Sequence, residues 1–340
     1  MTDKMPTTLD TRFRAHWSGW RERGPGILIC VTIAAAAQLL AQHYGAPQML
    51  FALLLGMAFH FLSEEGPCVT GIEFSAKTLL RFGVALLGLR ITIERVVGLG
   101  LDTVALLAGG VVLTILAGIG ASKIFGRHVR FGTLTGGAVA ICGASAALAI
   151  AAILPKSEQG ERDTIFTVIA VTTFSTAAMV LYPLIAGMVG LDDRMAGIFL
   201  GGTIHDVAQV VGAGYTISDE AGDIATVTKL FRVSMLVPVV LVLSMIFHGE
   251  NKSAGRAPLP LFIVGFCALV AINSSGMVPG ALHAWLVDLS RWCLVTAISA
   301  LGIKTSLKAM MTIGYQPVVV VLMESVFIAV WILGGIWLLN

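Results

Sequence analysis

Long apolar runs alternate with short polar joints along the whole chain. A membrane-spanning helix needs ~20 mainly apolar residues. Runs of that kind place eleven candidate spans at 26–43, 46–62, 74–96, 101–122, 131–154, 162–188, 196–216, 222–248, 259–275, 285–303 and 314–338. The joints between them are rich in Gly and Pro. The pattern predicts an all-α, polytopic membrane protein. Residues 1–25 form a polar tail and 26–340 a single membrane domain. The third run is the most interrupted, by Lys77, Arg81 and Arg90.

Composition agrees with that reading. Of 340 residues, 56% are hydrophobic and 12% charged, which leaves no segment for a soluble domain. The net charge of +2 gives no reason to expect nucleic acid as a partner. Cys30, Cys68, Cys142, Cys267 and Cys293 have no metal-ligand or disulfide-framework spacing, so neither metal nor cofactor is expected. The first apolar run lacks a small-residue cleavage site and is followed by further spans. It reads as a retained span and not as a signal peptide.

Lys and Arg in the joints set the orientation. Lys4, Arg12, Arg14, Arg21 and Arg23 precede span one. Lys123, Arg127 and Arg130 follow span four. Lys252 and Arg256 follow span eight, and Lys304 and Lys308 follow span ten. All fall on one face if eleven spans alternate, so the N-terminus is expected in the cytoplasm and the C-terminus outside a bacterial inner membrane. Arg90 and Arg95 are exceptions.

Two pattern matches point to an internal repeat. Leu55-Gly56…His60 in span two matches Leu200-Gly201…His205 in span seven. Leu80-Arg81 in span three matches Phe231-Arg232 in span eight, with Lys77 and Lys229 preceding the arginines. Spans five apart cross in opposite directions. The matches therefore predict an inverted repeat of 46–188 on 196–338, with span 26–43 extra. Gly132, Gly136 and Gly137 also match Gly197, Gly201 and Gly202. Spans five and seven run in the same direction, so this match cannot be the inverted repeat and reads as shared small-residue packing. The repeat pairs span five with span ten, and both are dense in small residues. Both are expected to be broken helices whose half-helix N-termini favour an anion.

Ionisable groups at bilayer depth cost at least ~2.5 kcal/mol. His205, Asp206 and Gln209 in span seven therefore read as a site facing a cavity, against a self-satisfied packing network. Asp206 and His205 are the candidates for proton coupling. Lys229 and Arg232 share one helix face and read either as anion ligands or as side chains snorkelling to the headgroups. Cys142, Gly143, Ala144 and Ser145 read either as an anion-binding turn or as tight packing, and Ser299 is their partner in span ten. His60, Lys77 and Arg81 are secondary candidates. Asn273 to Gly276 reads as a helix end. Glu324 is an isolated acid in span eleven without an evident partner.

The segments TIHDVAQVVGAG (203–214), KLFRVSML (229–236), LLRFGVALLGLRIT (79–92) and VAICGASA (139–146) resemble the YeiH-type family of bacterial inner-membrane proteins, described as sulfate exporters. That family is similar to the bile-acid symporters and NhaA-like antiporters. The resemblance implies a core domain, a panel domain, two crossing broken helices and, by analogy, a homodimer. Spans five and ten carry no acid except Asp288, which favours an anion over a cation as cargo.

The expectation is a secondary transporter of a small anion (sulfate, a sulfonate or a carboxylate), working by alternating access with H+ or Na+ as a possible coupling ion. No GxxxxGK[ST] motif is present to power a primary pump. Cation-coupled organic-acid transport, Na+/H+ exchange, a channel, a scaffold and an intramembrane enzyme using Cys142 and His205 are the alternatives.

Overall fold

A computed structural model describes residues 8–44, 48–155, 157–247, 261–305 and 315–339. The loop charges Lys4, Lys252, Arg256 and Lys308 lie outside the described residues, as do the side chains of Arg12, Arg14, Arg21 and Arg95. Among the described residues all regular structure is helical. In chain order the helices are α1 (Thr8–Tyr44), α2 (Gln48–Ala58), α3 (Val69–Phe74), α4 (Leu80–Leu87), α5 (Ile93–Val97), α6 (Gly100–Ile124), α7 (Val129–Ala140) and α8 (Ala144–Ile153). Then follow α9 (Glu158–Val189), α10 (Asp193–Thr203), α11 (Val207–Ile217), α12 (Asp219–Ser234), α13 (Leu236–Ile246), α14 (Leu261–Ser274), α15 (Gly280–Lys304) and α16 (Tyr315–Leu339). Among the described residues, six stretches are long and apolar enough to cross a membrane: Glu22–Tyr44, α6, α9, Asp219–Ile246, α15 and Val318–Leu339.

The chain divides into two units. The first comprises Met1–Val84 and Asp288–Ser306, the second Ala85–Val287 and Leu307–Asn340.

In the first unit, glycines let backbones touch. Gly26 of α1 meets Cys68 and Gly71, and Gly56 of α2 meets Ser299 and Gly302 of α15, with no room for a Cβ at either. The segment from α3 to α4 passes through a π-turn at Ser75–Leu79 and runs antiparallel to α15. Contacts run from Lys304 Nζ with Glu73 Oε1 (3.4 Å) to Ser290 Oγ with the Gly83 carbonyl (2.8 Å). Span ten is one unbroken helix of 25 residues, contrary to expectation. Its small residues serve close helix contact and not a break.

The second unit holds the breaks. α6 and α7 pack antiparallel through Gly118, Gly132 and Gly136. α7 ends at Ile141, and Gly143 takes a φ of +62°, a conformation only glycine adopts without strain. The chain then turns back: Ile150 of α8 fills the space a Cβ at Gly137 would need. Arg127, just before α7, pairs with Asp163 in the second turn of α9. So α7 and α8 enter and leave at the same end.

α9 then runs 32 residues to the opposite end. There α10 and α11 repeat the device. Gly197 at the start of α10 and Gly214 at the end of α11 both abut Ala221 of α12. Candidate spans five and seven are therefore each a hairpin of two half-length helices and not one continuous helix. The sequence cannot separate these cases, because ~22 apolar residues suffice for one crossing or for two half-helices. The second break lies in span seven, not span ten. With only α9 crossing between them, the hairpins point in opposite directions. That reverses the ground for setting the Gly132/Gly197 match aside.

Candidate functional site

The two hairpin tips, Ile141–Gly143 and Ile204–Asp206, meet inside the second unit. A Cβ on Gly143 would sit 3.5 Å from His205 Cβ, ordinary contact. α7 and α10 each end here in carbonyls that have no partner within their own helix. No lipid-facing arrangement satisfies such groups, so the protein must.

Lys229 and Arg232 of α12 supply the donors. Lys229 Nζ donates to Ile141 O (2.6 Å) and Ile204 O (2.8 Å). Arg232 Nε donates to Ala140 O (2.9 Å), and Nη2 to Val139 O (2.8 Å) and Ala140 O (2.7 Å). Its Nη1 reaches Gly201 O (3.1 Å) and Ile204 O (3.2 Å). The first tip is closed by Ile141 N on Gly137 O (3.2 Å) and Gly143 N on Ala138 O (2.8 Å). Every carbonyl from Gly137 to Ile141 thus has a donor. Lys229 and Arg232 are 0% and 1% exposed, which excludes snorkelling. Their charges sit on the negative ends of two helix dipoles.

His205 is buried in the second tip, and its Nε2 lies 2.9 Å from Ser325 Oγ of α16. Ser325 donates its own hydrogen to Val321 O (2.7 Å), so Nε2 carries the ring proton in that bond. Asp206 caps α11: Oδ1 accepts from Ala208 N (2.8 Å), and its backbone N donates to Ser175 Oγ (3.0 Å). Gln209 Nε2 donates to Thr176 Oγ1 (2.9 Å), while its buried Oε1 has no partner. Cys142 is buried at the first tip and Ser145 is exposed in the first turn of α8. The N-cap of α8 is Gly143, which has no side chain to cap the first N–H groups. Thr172 is exposed on α9, one turn before Thr176.

The structure therefore brings Cys142, Gly143, His205, Asp206, Lys229 and Arg232 together. Ser299, His60, Lys77 and Arg81 belong to the first unit. Ser299 donates to Val295 O within its own helix. His60 Nδ1 donates to Ile303 O (2.7 Å), capping α15, and Lys77 pairs with Glu73 (3.1 Å) at the surface. Arg81 is exposed. His60 and Arg81 thus have surroundings unlike those of His205 and Arg232. Ser175, Thr176 and Ser325 were not singled out from sequence. The hydroxyl run Thr172-Thr173-Phe174-Ser175-Thr176, mid-span, was the available signal. Arg90, an exception to the loop-charge pattern, makes ion pairs with Asp219 (3.5 Å) and Asp223 (3.7 Å).

The family model described as conserved hypothetical protein 698 matches residues 25–321. A UPF0324 membrane protein of Chlorobaculum tepidum is 58% identical over 317 residues, covering 92% of this chain and 88% of its own. One from Rhizobium meliloti is 54% identical, covering 93% of each chain. The UPF0324 membrane protein TauZ of Paracoccus denitrificans is also 54% identical, covering 93% of this chain and 95% of its own.

Proposed function

The chain belongs to the conserved hypothetical protein 698 family, the UPF0324 membrane proteins, and we propose that it is a secondary transporter of a small anion in the bacterial inner membrane. The observation that carries this reading is a charge imbalance at the hairpin tips. Two buried cations, Lys229 and Arg232, stand against one carboxylate there, Asp206. The dipole ends at the tips cancel, since two helix C-termini and two N-termini contribute about half a charge each. One positive charge is left over in a medium that penalises unpaired charge heavily. A small anion balances it.

The surface offered to that anion is the N-terminal turn of α8, from Gly143 through Ala144 to Ser145, with Gln209, Thr172 and Thr176 beside it. Lys229 and Arg232 act on the anion through potential, because all five guanidinium hydrogens of Arg232 and two of the three on Lys229 Nζ are committed to carbonyls. This re-assigns them from direct ligands to holders of the site. Exposed hydroxyls at this depth are consistent with a wet cavity. Hairpins entering from opposite ends, related by the Gly132/Gly197 match, form the inverted repeat in this reading. Alternating access then moves the hairpin body as one piece, with H+ or Na+ as the driving ion. The Arg127–Asp163 end faces the cytoplasm. Sulfate is the first substrate to test, because of the resemblance to the YeiH-type family.

The test is counterflow of labelled sulfate into proteoliposomes, with sulfonates and carboxylates as competitors. Saturable uptake that any of these anions competes away supports the reading. Flux of Na+ in exchange for H+, with no response to any anion, contradicts it.

A further inference from the structure

Glu324 and Ser325 are consecutive on α16 and touch different hairpins. Ser325 accepts from His205 at the second tip. Glu324, 1% exposed, meets Thr135 of α7, whose Oγ1 lies 2.7 Å from Glu324 Oε1. The other carboxyl oxygen, Oε2, is buried without a partner.

The charged groups on the helices packed around it stand at helix ends. Asp102 and Lys123 on α6, Arg130 on α7, Glu158, Glu161 and Arg162 on α9, and Asp193 and Arg194 on α10 are all exposed. Asp163 of α9 is paired with Arg127. His205 is bonded to Ser325, the residue that follows Glu324. Among the described residues no ion pair neutralises Glu324.

The hydrogen-bond arrangement serves a neutral carboxyl without moving an atom. Thr135 has one hydrogen and three acceptors in reach: Glu324 Oε1, Phe131 O (3.2 Å) and Gly132 O (3.5 Å). If Glu324 is an acid, its O–H donates to Thr135 Oγ1 and Thr135 donates to Phe131 O, leaving Oε2 as a carbonyl oxygen. If Glu324 loses the proton, Thr135 turns its hydrogen to Oε1 and a charge remains on the carboxyl. A metal cation does not fit as well as a proton. A Cβ on Gly118 would already collide with Glu324 Oε1 and the Gly132 carbonyl, so the helices leave no room for a coordination shell.

We propose that Glu324 is the proton-binding site of this protein and that it carries the coupling proton, taken from water on one side and released on the other. The coupling rests on the anion-transport reading above; the proton site does not. Protonated, Glu324 leaves the surplus positive charge of the tips for an anion. Deprotonated, it supplies a negative charge to the same body and disfavours the anion. Proton and anion therefore bind together. Asp206 differs in kind, because its carboxylate is engaged as the cap of α11, a task Asn also performs.

The test has two arms on the full-length protein. Infrared difference spectra at neutral pH should show a carboxylic-acid carbonyl band that is lost in Glu324→Gln and shifted in Thr135→Val, which removes only the hydroxyl. The same band in Glu324→Gln would overturn the proton site. In proteoliposomes, Glu324→Gln should keep sulfate counterflow and lose acceleration by an inward proton gradient. Acceleration persisting in Glu324→Gln, or a strict need for Na+, would overturn the coupling role. Absence of sulfate flux in wild type would strike the transport reading, and the infrared arm would still decide the proton site.

Discussion

Lys229 and Ile141 are 88 residues apart in sequence and joined by a hydrogen bond of 2.6 Å. Through it, α12 holds the end of a helix that belongs to the other hairpin. Removing the ammonium in Lys229→Met orphans the buried Ile141 carbonyl, at about 1–3 kcal/mol, and leaves Ile204 O to Arg232 alone. The variant should melt several degrees below wild type in detergent. Equal melting temperatures would show that these bonds do not hold the tips together.

Arg232 reaches carbonyls on both hairpins from three nitrogens in one plane. A lysine offers three hydrogens from a single atom and cannot span Val139 and Gly201 together. Arg232→Lys should therefore destabilise nearly as much as Arg232→Met, measured by the same thermal transition. Full rescue by lysine would mean that charge alone matters.

The re-entrant path makes a sidedness prediction. Single cysteines replacing His128 and Glu158 flank the first hairpin and should react with an impermeant thiol reagent from the same side. Cysteines at Asp193 and Glu220 flank the second hairpin and should react from the other. A membrane-crossing span five would put positions 128 and 158 on opposite sides.

Gly143 combines a φ of +62° with space around it, since a Cβ there meets nothing closer than 3.5 Å. Gly143→Ala should cost about 1–3 kcal/mol in backbone strain alone. Gly201→Ala meets the Ala225 carbonyl and Thr228 with no room, so it should displace α10 from α12 as well. The expected order in thermal stability is wild type, Gly143→Ala, Gly201→Ala.

Much of this was legible in the residues. His205, Asp206, Lys229 and Arg232 stood out because lipid gives charge no other reason to be there, and they converge. The small-residue run at 135–146 marked the first break. Span ten shared its composition yet is continuous, because small residues also let helices touch, as Gly302 does with Leu53 and Gly56. The hairpins were hidden by their length, which suits a crossing equally well. The LGxxxH match linked His60 to His205, although one caps a helix end and the other lies at a buried tip. The partner of Glu324 was unreadable, since Thr135 lies 189 residues away.

The most direct test of an anion site at the meeting hairpins is the reactivity of Ser145→Cys in a chain whose five native cysteines are replaced. Ser145 is exposed in the first turn of α8, whereas Ile150, one face away, is buried. An impermeant maleimide should modify Ser145→Cys in membranes and leave Ile150→Cys untouched, and added sulfate or a transported competitor should slow the reaction. Modification of Ser145→Cys only by a lipid-soluble reagent, with no protection by any anion, would place that turn against lipid and contradict the site.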